Sequence, residues 1–150
     1  MKKLFYLLGI LLYTLWSCNN DNSGVITMVV KNNEGKNGNR HIFHISSFNE
    51  GNIITVNWGD GTIEEFMTYG MKSTNGELDY GTSFVHSYSN SNSKIITIKG
   101  HIKALSCFEN SLTLLNISKC PTLIRLCCSG NSLTSLDVSK NTALIELACD

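Results

Sequence analysis

The last third of the 150-residue chain repeats itself every 21 residues, and this period limits the possible folds more than any other feature. Three columns of apolar residues each step by 21 along the sequence: Ile102/Leu123/Leu144, Leu105/Leu126/Leu147 and Cys107/Cys128/Cys149. A coil of this length cannot enclose a core alone, so each coil buries its apolar row only by stacking on a neighbour. The sequence therefore predicts a stack of short strands, one repeat apart.

Side-chain alternation predicts which residues lie inside the stack. The leucine and the cysteine of a row are two residues apart, so they share one face of a short strand. We predict that this face is interior and that its cysteines are buried free thiols, since parallel side-by-side Cβ vectors fit disulfide geometry poorly. This ladder consists of Cys107, Cys128 and Cys149. Asn110 and Asn131 follow the strands, and we expect their amides to bond backbone groups of adjacent coils.

The rows resemble the internalin-J-like leucine-rich repeats, whose cysteine-ladder unit reads L-x-x-L-x-C-x-x-N-x-L-T-x-L-D-V-S-x-N-T-x-L. Residues 133–144 (LTSLDVSKNTAL) follow this unit closely. The preceding copy departs from it, with Asn116, Cys120 and Pro121 where the unit has Asp, Asn and Thr. The resemblance implies a leucine-rich-repeat solenoid that serves as a binding scaffold rather than as a catalyst.

The same resemblance implies that ligands bind across the outward side of the strands. The outward candidates are Ser106, Phe108, Arg125, Cys127, Ser129 and Glu146. Phe108 and Arg125 are the best anchors, because aromatic and arginine side chains dominate interface energetics. Alternatively, Arg125 and Glu146 occupy one column of adjacent coils and simply pair. Cys127 has no basic neighbour to lower its pKa, which favours an inert exposed thiol over a reactive one.

Residues 25–100 alternate between strand patterns and turn signals, as an antiparallel sandwich does. We predict strands at 25–31, 41–46, 53–58, 62–67, 84–88 and 94–99. In the third of these, Ile54, Val56 and Trp58 share one face. The Gly-Asp-Gly sequence that follows predicts a hairpin turn, because Asp-Gly tolerates the positive φ that twisted hairpins require.

Two motifs in this region, Trp58-Gly59-Asp60-Gly61 and His86-Ser87-Tyr88, resemble the polycystic-kidney-disease (PKD) immunoglobulin-like fold. The resemblance implies a spacer or adhesion module. From the residues alone, Asp60 is a turn residue rather than a calcium ligand, because one carboxylate with Glu64 and Glu65 nearby does not form a cage. His86 is a core or partly buried histidine bonded to a neighbour, rather than a catalytic base.

The chain begins like an export signal. Lys2 and Lys3 precede a 12-residue apolar run at 4–15, which is too short to span a bilayer and suits a signal peptide. The run ends in Leu15-Trp16-Ser17-Cys18, which resembles the bacterial lipobox and implies cleavage before Cys18 and lipidation of that cysteine. The alternatives are an ordinary secretory signal and an uncleaved anchor. Residues 18–24 form a polar tether that resembles those of Bacteroidota-type surface lipoproteins.

Composition argues against several other classes of function. Formal charge balances, with 12 basic and 12 acidic residues. No basic patch interleaved with aromatic residues appears, so nucleic acid is not a predicted partner. No nucleophile–base pair, phosphate loop or paired carboxylates appear, so we predict no catalytic residue and no enzyme. Cys120, Cys127 and Cys128 lack C-x-x-C spacing, so no metal site or cofactor is predicted.

Both ends of the repeat region need covering. Ile98 leads into Ile102 without a linker, so we hypothesise that the last strand of the sandwich doubles as the N-terminal cap of the solenoid. The third row stops at Asp150, before the asparagine and leucine of the pattern. Either the chain is a truncated fragment of a longer adhesin, or another chain covers the open coil.

The sequence thus predicts a mainly β chain: signal peptide (1–17), tether (18–24), PKD-like β-sandwich (25–100) and a short leucine-rich-repeat solenoid (101–150). The predicted function is that of a lipid-anchored protein of the cell envelope, exposed on the outer membrane, which recognises a protein ligand in adhesion. The alternative is a glycan-binding accessory lipoprotein; Phe108 is the only aromatic residue on the proposed face, which favours a protein ligand.

Overall fold

A computed structural model describes residues 23–32, 39–47, 49–70, 73–74, 77–78 and 81–150 of the chain. The predicted signal peptide, the lipidation of Cys18 and most of the predicted tether lie outside the described residues. The part of the chain that is described contains no helix that could reach across the hydrocarbon layer of a membrane.

The described strands fall into two halves along the chain. The first eight are β1 (Gly24–Val30), β2 (Arg40–Ser46), β3 (Asn52–Asn57), β4 (Ile63–Thr68), β5 (Ser73–Thr74), β6 (Glu77–Leu78), β7 (Thr82–Ser87) and β8 (Lys94–Gly100). The repeat region adds β9 (Ala104–Ser106), β10 (Leu112–Lys119), β11 (Arg125–Cys127) and β12 (Glu146–Ala148).

Two five-stranded sheets organise these strands. Sheet A has the order β10-β1-β8-β3-β4 and is antiparallel throughout. Sheet B has the order β12-β11-β9-β2-β7 and is mixed, because β9, β11 and β12 run parallel while β2 pairs antiparallel with β7 and β9. β5 and β6 form a separate two-stranded ribbon. The mainly β fold class predicted from the sequence is confirmed.

The strands of both sheets alternate buried and less buried residues, and the buried ones form one core. In β1 every second residue is buried, and the same pattern recurs in β2, β3 and β8. Burial of such alternating aliphatic and aromatic side chains is the main favourable contribution to folding. The largest fully buried side chains include Trp58, Phe43, Phe84, Ile26, Met28 and Leu105. Residues of the repeat rows join the same core, so the two halves of the chain pack together.

The repeat rows pair in the 21-residue register of the sequence. β11 lies between β9 and β12, with Arg125 opposite Ala104 on one side and Glu146 on the other. The predicted leucine-rich-repeat solenoid does not stand apart as a body of its own, because β9, β11 and β12 extend sheet B and β10 extends sheet A.

The N-terminal end of the repeat rows is covered by strands other than the predicted one. β8, the last strand before the repeats, does not contact β10 as a sheet neighbour, because β1 lies between them. β1 pairs with β10, and β2 pairs with β9. The cap hypothesis is therefore corrected: the first two strands of the chain protect the first repeat row, one in each sheet.

Two further predictions about burial are wrong, and the neighbours of the strands explain both. Ser106 was predicted to point outward into solvent, but it is buried because His44 of β2 lies directly opposite it. Cys149 was predicted to lie inside the ladder, but it is exposed, as is Leu147, because β12 is an edge strand of sheet B.

Candidate functional site

The outer face of sheet B carries the predicted binding residues. Residues directly opposite each other on paired strands share a face, so the register extends this surface across the whole sheet. From β12 to β7 it comprises Glu146 and Ala148, Arg125 and Cys127, Ala104 and Ser106, Arg40, Ile42 and His44, and Ser83, Val85 and Ser87. The surface thus includes β2 and β7, which the sequence analysis did not assign to it.

The structure separates the predicted ligand-binding residues into two groups. Phe108 is 49% exposed and lies on the turn after β9. Arg125 and Glu146 form an ion pair of 3.3 Å between guanidinium and carboxylate, so the alternative that they simply pair is confirmed. Cys127 and Ser129 are half-buried. Of the two predicted anchors, Phe108 is therefore open to a ligand. The guanidinium of Arg125 is instead paired with the carboxylate of Glu146.

A groove of about 260 Å³ lies beside Phe108. It is lined by Arg40, Ile42, His44, Phe108, Glu109 and Asn110. The first three alternate along β2 and the other three form the turn after β9. Of these six residues, only Phe108 and Asn110 were predicted from the sequence to have a role. The signal that could have revealed Arg40 is its alternation with Ile42 and His44 on β2, but the pairing of β2 with β9 has no local trace in the sequence.

Asn110 holds the turn against β2. Its side-chain nitrogen donates to the carbonyl oxygens of Ile42 at 2.7 Å and Phe108 at 2.8 Å. Its side-chain oxygen accepts from the backbone N–H of Ile42 at 2.9 Å. The expectation that this amide bonds neighbouring backbone is confirmed, with β2 taking the place of an adjacent coil. These bonds hold the turn that carries Phe108, which lines the groove.

The turn that lines the groove has an unusual backbone. Glu109 and Ser111 have φ angles of 53° and 54°, in the left-handed region that costs a residue other than glycine about 1–2 kcal/mol. Gly130, one repeat later than Glu109, has φ of 67°. In the first row a glutamate thus adopts the conformation that a glycine adopts in the second row. This glutamate, Glu109, lines the groove.

Asn131 links the first two repeat rows. Its side-chain oxygen accepts from the backbone N–H groups of Asn110 at 3.0 Å and Leu112 at 2.9 Å. Its side-chain nitrogen donates to the carbonyl oxygens of Cys107 at 2.9 Å and Cys128 at 2.8 Å. The predicted role of this amide is confirmed. Its bonds to the N–H groups of Asn110 and Leu112 hold the turn of the first row against the second row.

His41 connects the groove to Asn32, which follows the C-terminal end of β1. Its Nε2 lies 2.7 Å from the side-chain oxygen of Asn32, whose nitrogen donates to the carbonyls of Asn90 and Asn92. The orientation of Asn32 is thereby fixed, so Nε2 of His41 is the donor. Nδ1 lies 3.1 Å from the carbonyl oxygen of Asn110. Burial lowers the pKa of His41, and the contact with Asn110 opposes this effect. His41 and His44 lie on opposite faces of β2.

The two PKD-like motifs meet in a second cluster at one end of the core. The ring of Trp58 is stacked on His86 at 4.7 Å, and its Nε1 donates to a carboxylate oxygen of Glu64 at 2.6 Å. The hydroxyl of Tyr88 donates to the carbonyl of Trp58 at 2.6 Å, and burial raises the pKa of Tyr88. Nε2 of His86 lies 2.8 Å from a carboxylate oxygen of Asp60.

Asp60 and His86 have the structural contacts that the sequence predicts. The second carboxylate oxygen of Asp60 accepts from the backbone N–H of Thr62 at 2.9 Å, which closes the turn between β3 and β4. His86 is partly buried, with 15% of its side chain exposed, and it is bonded to this turn. The cluster therefore joins β7 to the turn between β3 and β4.

The contacts of Asp60 predict that the stability of the fold decreases in acid. The hydrogen bond from His86 lowers the pKa of Asp60 from 3.8 to about 2. Because the folded pKa lies below the unfolded one, the carboxylate contributes stability above about pH 4 that is lost as the pH falls toward about 2. We expect the urea midpoint of the native chain to fall over this interval by more than that of Asp60→Asn. Equal pH dependence in the two chains would contradict this assignment.

The ladder cysteines of the first two rows, Cys107 and Cys128, are buried free thiols, as predicted. Burial raises the pKa of Cys107, and it raises the pKa of Cys128 and of Cys120 to about 11. Thiols with such pKa values remain protonated at neutral pH, so they pack as small apolar side chains. Within the described ranges, no group of three or more His, Cys, Asp or Glu side chains could hold a metal ion.

Comparisons with models of protein families, with curated proteins and with solved structures gave no match to this chain.

Proposed function

We propose that this protein is a lipid-anchored binding protein of the cell envelope, located at the outer membrane and exposed on the surface, which recognises a protein ligand in adhesion. We also propose that the fold consists of a PKD-like sandwich over 25–100, followed by leucine-rich-repeat rows over 101–150. The lipobox-like sequence at Cys18 supports the anchor. The proposal gives the chain a binding role rather than a catalytic one, with no cofactor and no nucleic-acid partner.

The observation that carries the binding role is the groove beside Phe108. Its lining combines the exposed aromatic ring of Phe108 with Ile42 and with the opposite charges of Arg40 and Glu109. Aromatic and arginine side chains supply a large share of the energy in protein interfaces. A volume of about 260 Å³ lies below the roughly 300–1,000 Å³ of typical small-molecule sites, so it suits one or two side chains of a larger ligand.

β1 separates the groove from the predicted tether. β1 begins at Gly24, next to the predicted tether, and ends at Val30. Its seven residues extend about 20 Å at ~3.3 Å per residue. Asn32, just beyond its far end, bonds His41, the neighbour of Arg40 and Ile42. The groove therefore lies toward the end of the molecule opposite the tether, where a ligand outside the membrane would reach it.

A selection experiment tests this function. The full chain, purified in detergent, is used to select binders from a peptide library displayed on phage and is applied in parallel to a glycan array. We expect peptides whose affinity falls at least about tenfold with Phe108→Ala or Arg40→Ala, because truncating an anchor residue costs about 2 kcal/mol. Ile95→Ala, on the outer face of sheet A, is the matched control and should leave affinity unchanged.

Two outcomes would contradict the proposal. Peptides that bind Phe108→Ala and Arg40→Ala as tightly as the native chain would place the site elsewhere. Binding to glycans alone, lost with Phe108→Ala, would favour the alternative of a glycan-binding accessory lipoprotein, in which the ring of Phe108 stacks on a sugar.

A further inference from the structure

The outer face of sheet A exposes large apolar side chains at both ends. At one end are Ile53 (56% exposed), Met67 (65%) and Tyr69 (65%), which we call the β3–β4 patch. At the other end are Ile63, Ile95 and Leu114. Single exposed apolar residues are normal on protein surfaces, but groups of them mark contact sites. Exposure alone does not distinguish the two ends, so the distinction must come from their positions.

The register of sheet A places the β3–β4 patch at the end where β1 begins. Gly24 pairs with Gly100, and Gly100 pairs with Ile54. Ile53 precedes Ile54 on β3, and it pairs with Met67 on β4. Because β3 and β1 run in the same direction, Ile53 and Met67 lie at the level of the residue before Gly24. Tyr69 lies two positions further along the chain, beyond the end of β4.

The predicted lipid attachment is close to this end. Six residue steps separate Cys18 from Gly24, so the tether spans at most about 20 Å even when fully extended. Two strand spacings of ~4.8 Å separate β1 from β3 in the sheet, and three separate it from β4. The patch is therefore within the range in which the anchor would hold it against the lipid headgroups.

We propose that the β3–β4 patch rests on the phospholipid surface and orients the protein on its membrane. The inference rests on the lipid anchor of the proposed function. Ile53, Met67 and Tyr69 have the side chains of interfacial contacts, in which apolar groups enter the headgroup region and an aromatic hydroxyl remains in the polar layer.

Charged residues of both signs lie near the patch. Lys99 and Glu65 lie in the row next to Ile53 and Met67, and Lys119 pairs with Val25 at the start of β1. Glu50 lies in the turn before β3. Because the described charges at this end are of both signs, we assign the contact to the apolar side chains rather than to net charge, and binding should depend weakly on salt.

The test measures the depth of single residues in the membrane. The full lipidated chain carrying Met67→Trp or Ile95→Trp is reconstituted in vesicles of phosphatidylethanolamine and phosphatidylglycerol with brominated acyl chains, which quench nearby tryptophan. The native chain supplies the background from Trp58. We expect the added fluorescence at position 67 to be quenched about twofold or more, because interfacial apolar groups reach about 5–10 Å into the headgroup–acyl boundary. The added fluorescence at position 95, which is the matched control, should be unchanged.

The outcomes separate this proposal from the one on which it rests. Vesicle flotation with no quenching at position 67, or with equal quenching at both positions, overturns the patch and leaves the anchor intact. A chain that does not float with vesicles, and whose mass lacks the lipid, overturns the anchor together with the patch. Flotation with quenching confined to position 67 supports both.

Discussion

Replacing Trp58 with alanine is expected to lower the free energy of unfolding by about 3–5 kcal/mol, the range for deleting a large aromatic side chain from a core. Trp58 is fully buried, and its ring contacts Phe43 on one side and His86 on the other. Removal would leave a cavity between the two sheets and would remove the N–H that donates to the Glu64 carboxylate at 2.6 Å. Urea unfolding followed by circular dichroism measures the loss.

Two further variants resolve how Trp58 acts. Trp58→Phe keeps most of the packing and removes the N–H donor, so it should cost about 1–2 kcal/mol, the range for losing one hydrogen bond to a charged group that water then solvates. Ile63→Ala is the control, since this side chain is 62% exposed and its loss should change stability by less than about 0.5 kcal/mol. A Trp58→Ala chain as stable as Ile63→Ala would show that the core is not centred on this residue.

Replacing Asn131 with leucine is expected to cost about 3 kcal/mol. The side chain is of similar size, but it satisfies none of the five backbone groups that the amide bonds, and each unpaired group costs about 1–3 kcal/mol where water cannot replace the bond. Those groups belong to two rows: the N–H of Asn110 and Leu112, and the carbonyls of Cys107, Cys128 and Ser129. The measured quantity is again the free energy of unfolding in urea.

The aspartate variant tests the mechanism at the same position. Asn131→Asp retains an acceptor for the N–H groups of Asn110 and Leu112 and loses the donor to the three carbonyls, so it should be less stable than the native chain. Ser135→Ala, at an exposed position of the same repeat, is the control and should have little effect. If leucine at position 131 is tolerated as well as alanine at 135, the amide does not hold the rows together.

Local patterns in the sequence predicted most of the strands. The predicted strand at 53–58 corresponds to Asn52–Asn57, and that at 94–99 corresponds to Lys94–Gly100. Alternation and turn chemistry suffice here, because both are properties of neighbouring residues. The register of the repeat rows was equally accessible, since a fixed period of 21 places Arg125 beside Glu146 without further information.

Pairing between distant segments was not predictable in the same way. Residues 112–119 and 133–140 carry the same pattern, yet only the first becomes a strand, β10, because β1 provides it with a partner. Likewise, the approach of β2 to β9 buries Ser106 and places Arg40 beside Phe108. No local periodicity records which of several edges a strand will meet, so the groove appears only in three dimensions.

One buried asparagine was overlooked although its signal was in the sequence. Asn141 is buried and donates to the carbonyls of Ile117 at 2.9 Å and Cys120 at 2.8 Å. It lies 21 residues after Cys120, at the asparagine of the unit from which Cys120 departs. A buried amide needs hydrogen-bond partners, so its recurrence in the unit could have predicted a second link between rows.

The position of β1 in sheet A also determines the order in which the chain can fold. Val30 pairs with Leu112, which is 82 positions later, and the other neighbour of β1, β8, is likewise distant in sequence. Such contacts raise contact order, and chains dominated by them fold in milliseconds to seconds rather than microseconds. A chain made from its N-terminus therefore carries β1 with both edges unpaired until most of the remaining residues have followed.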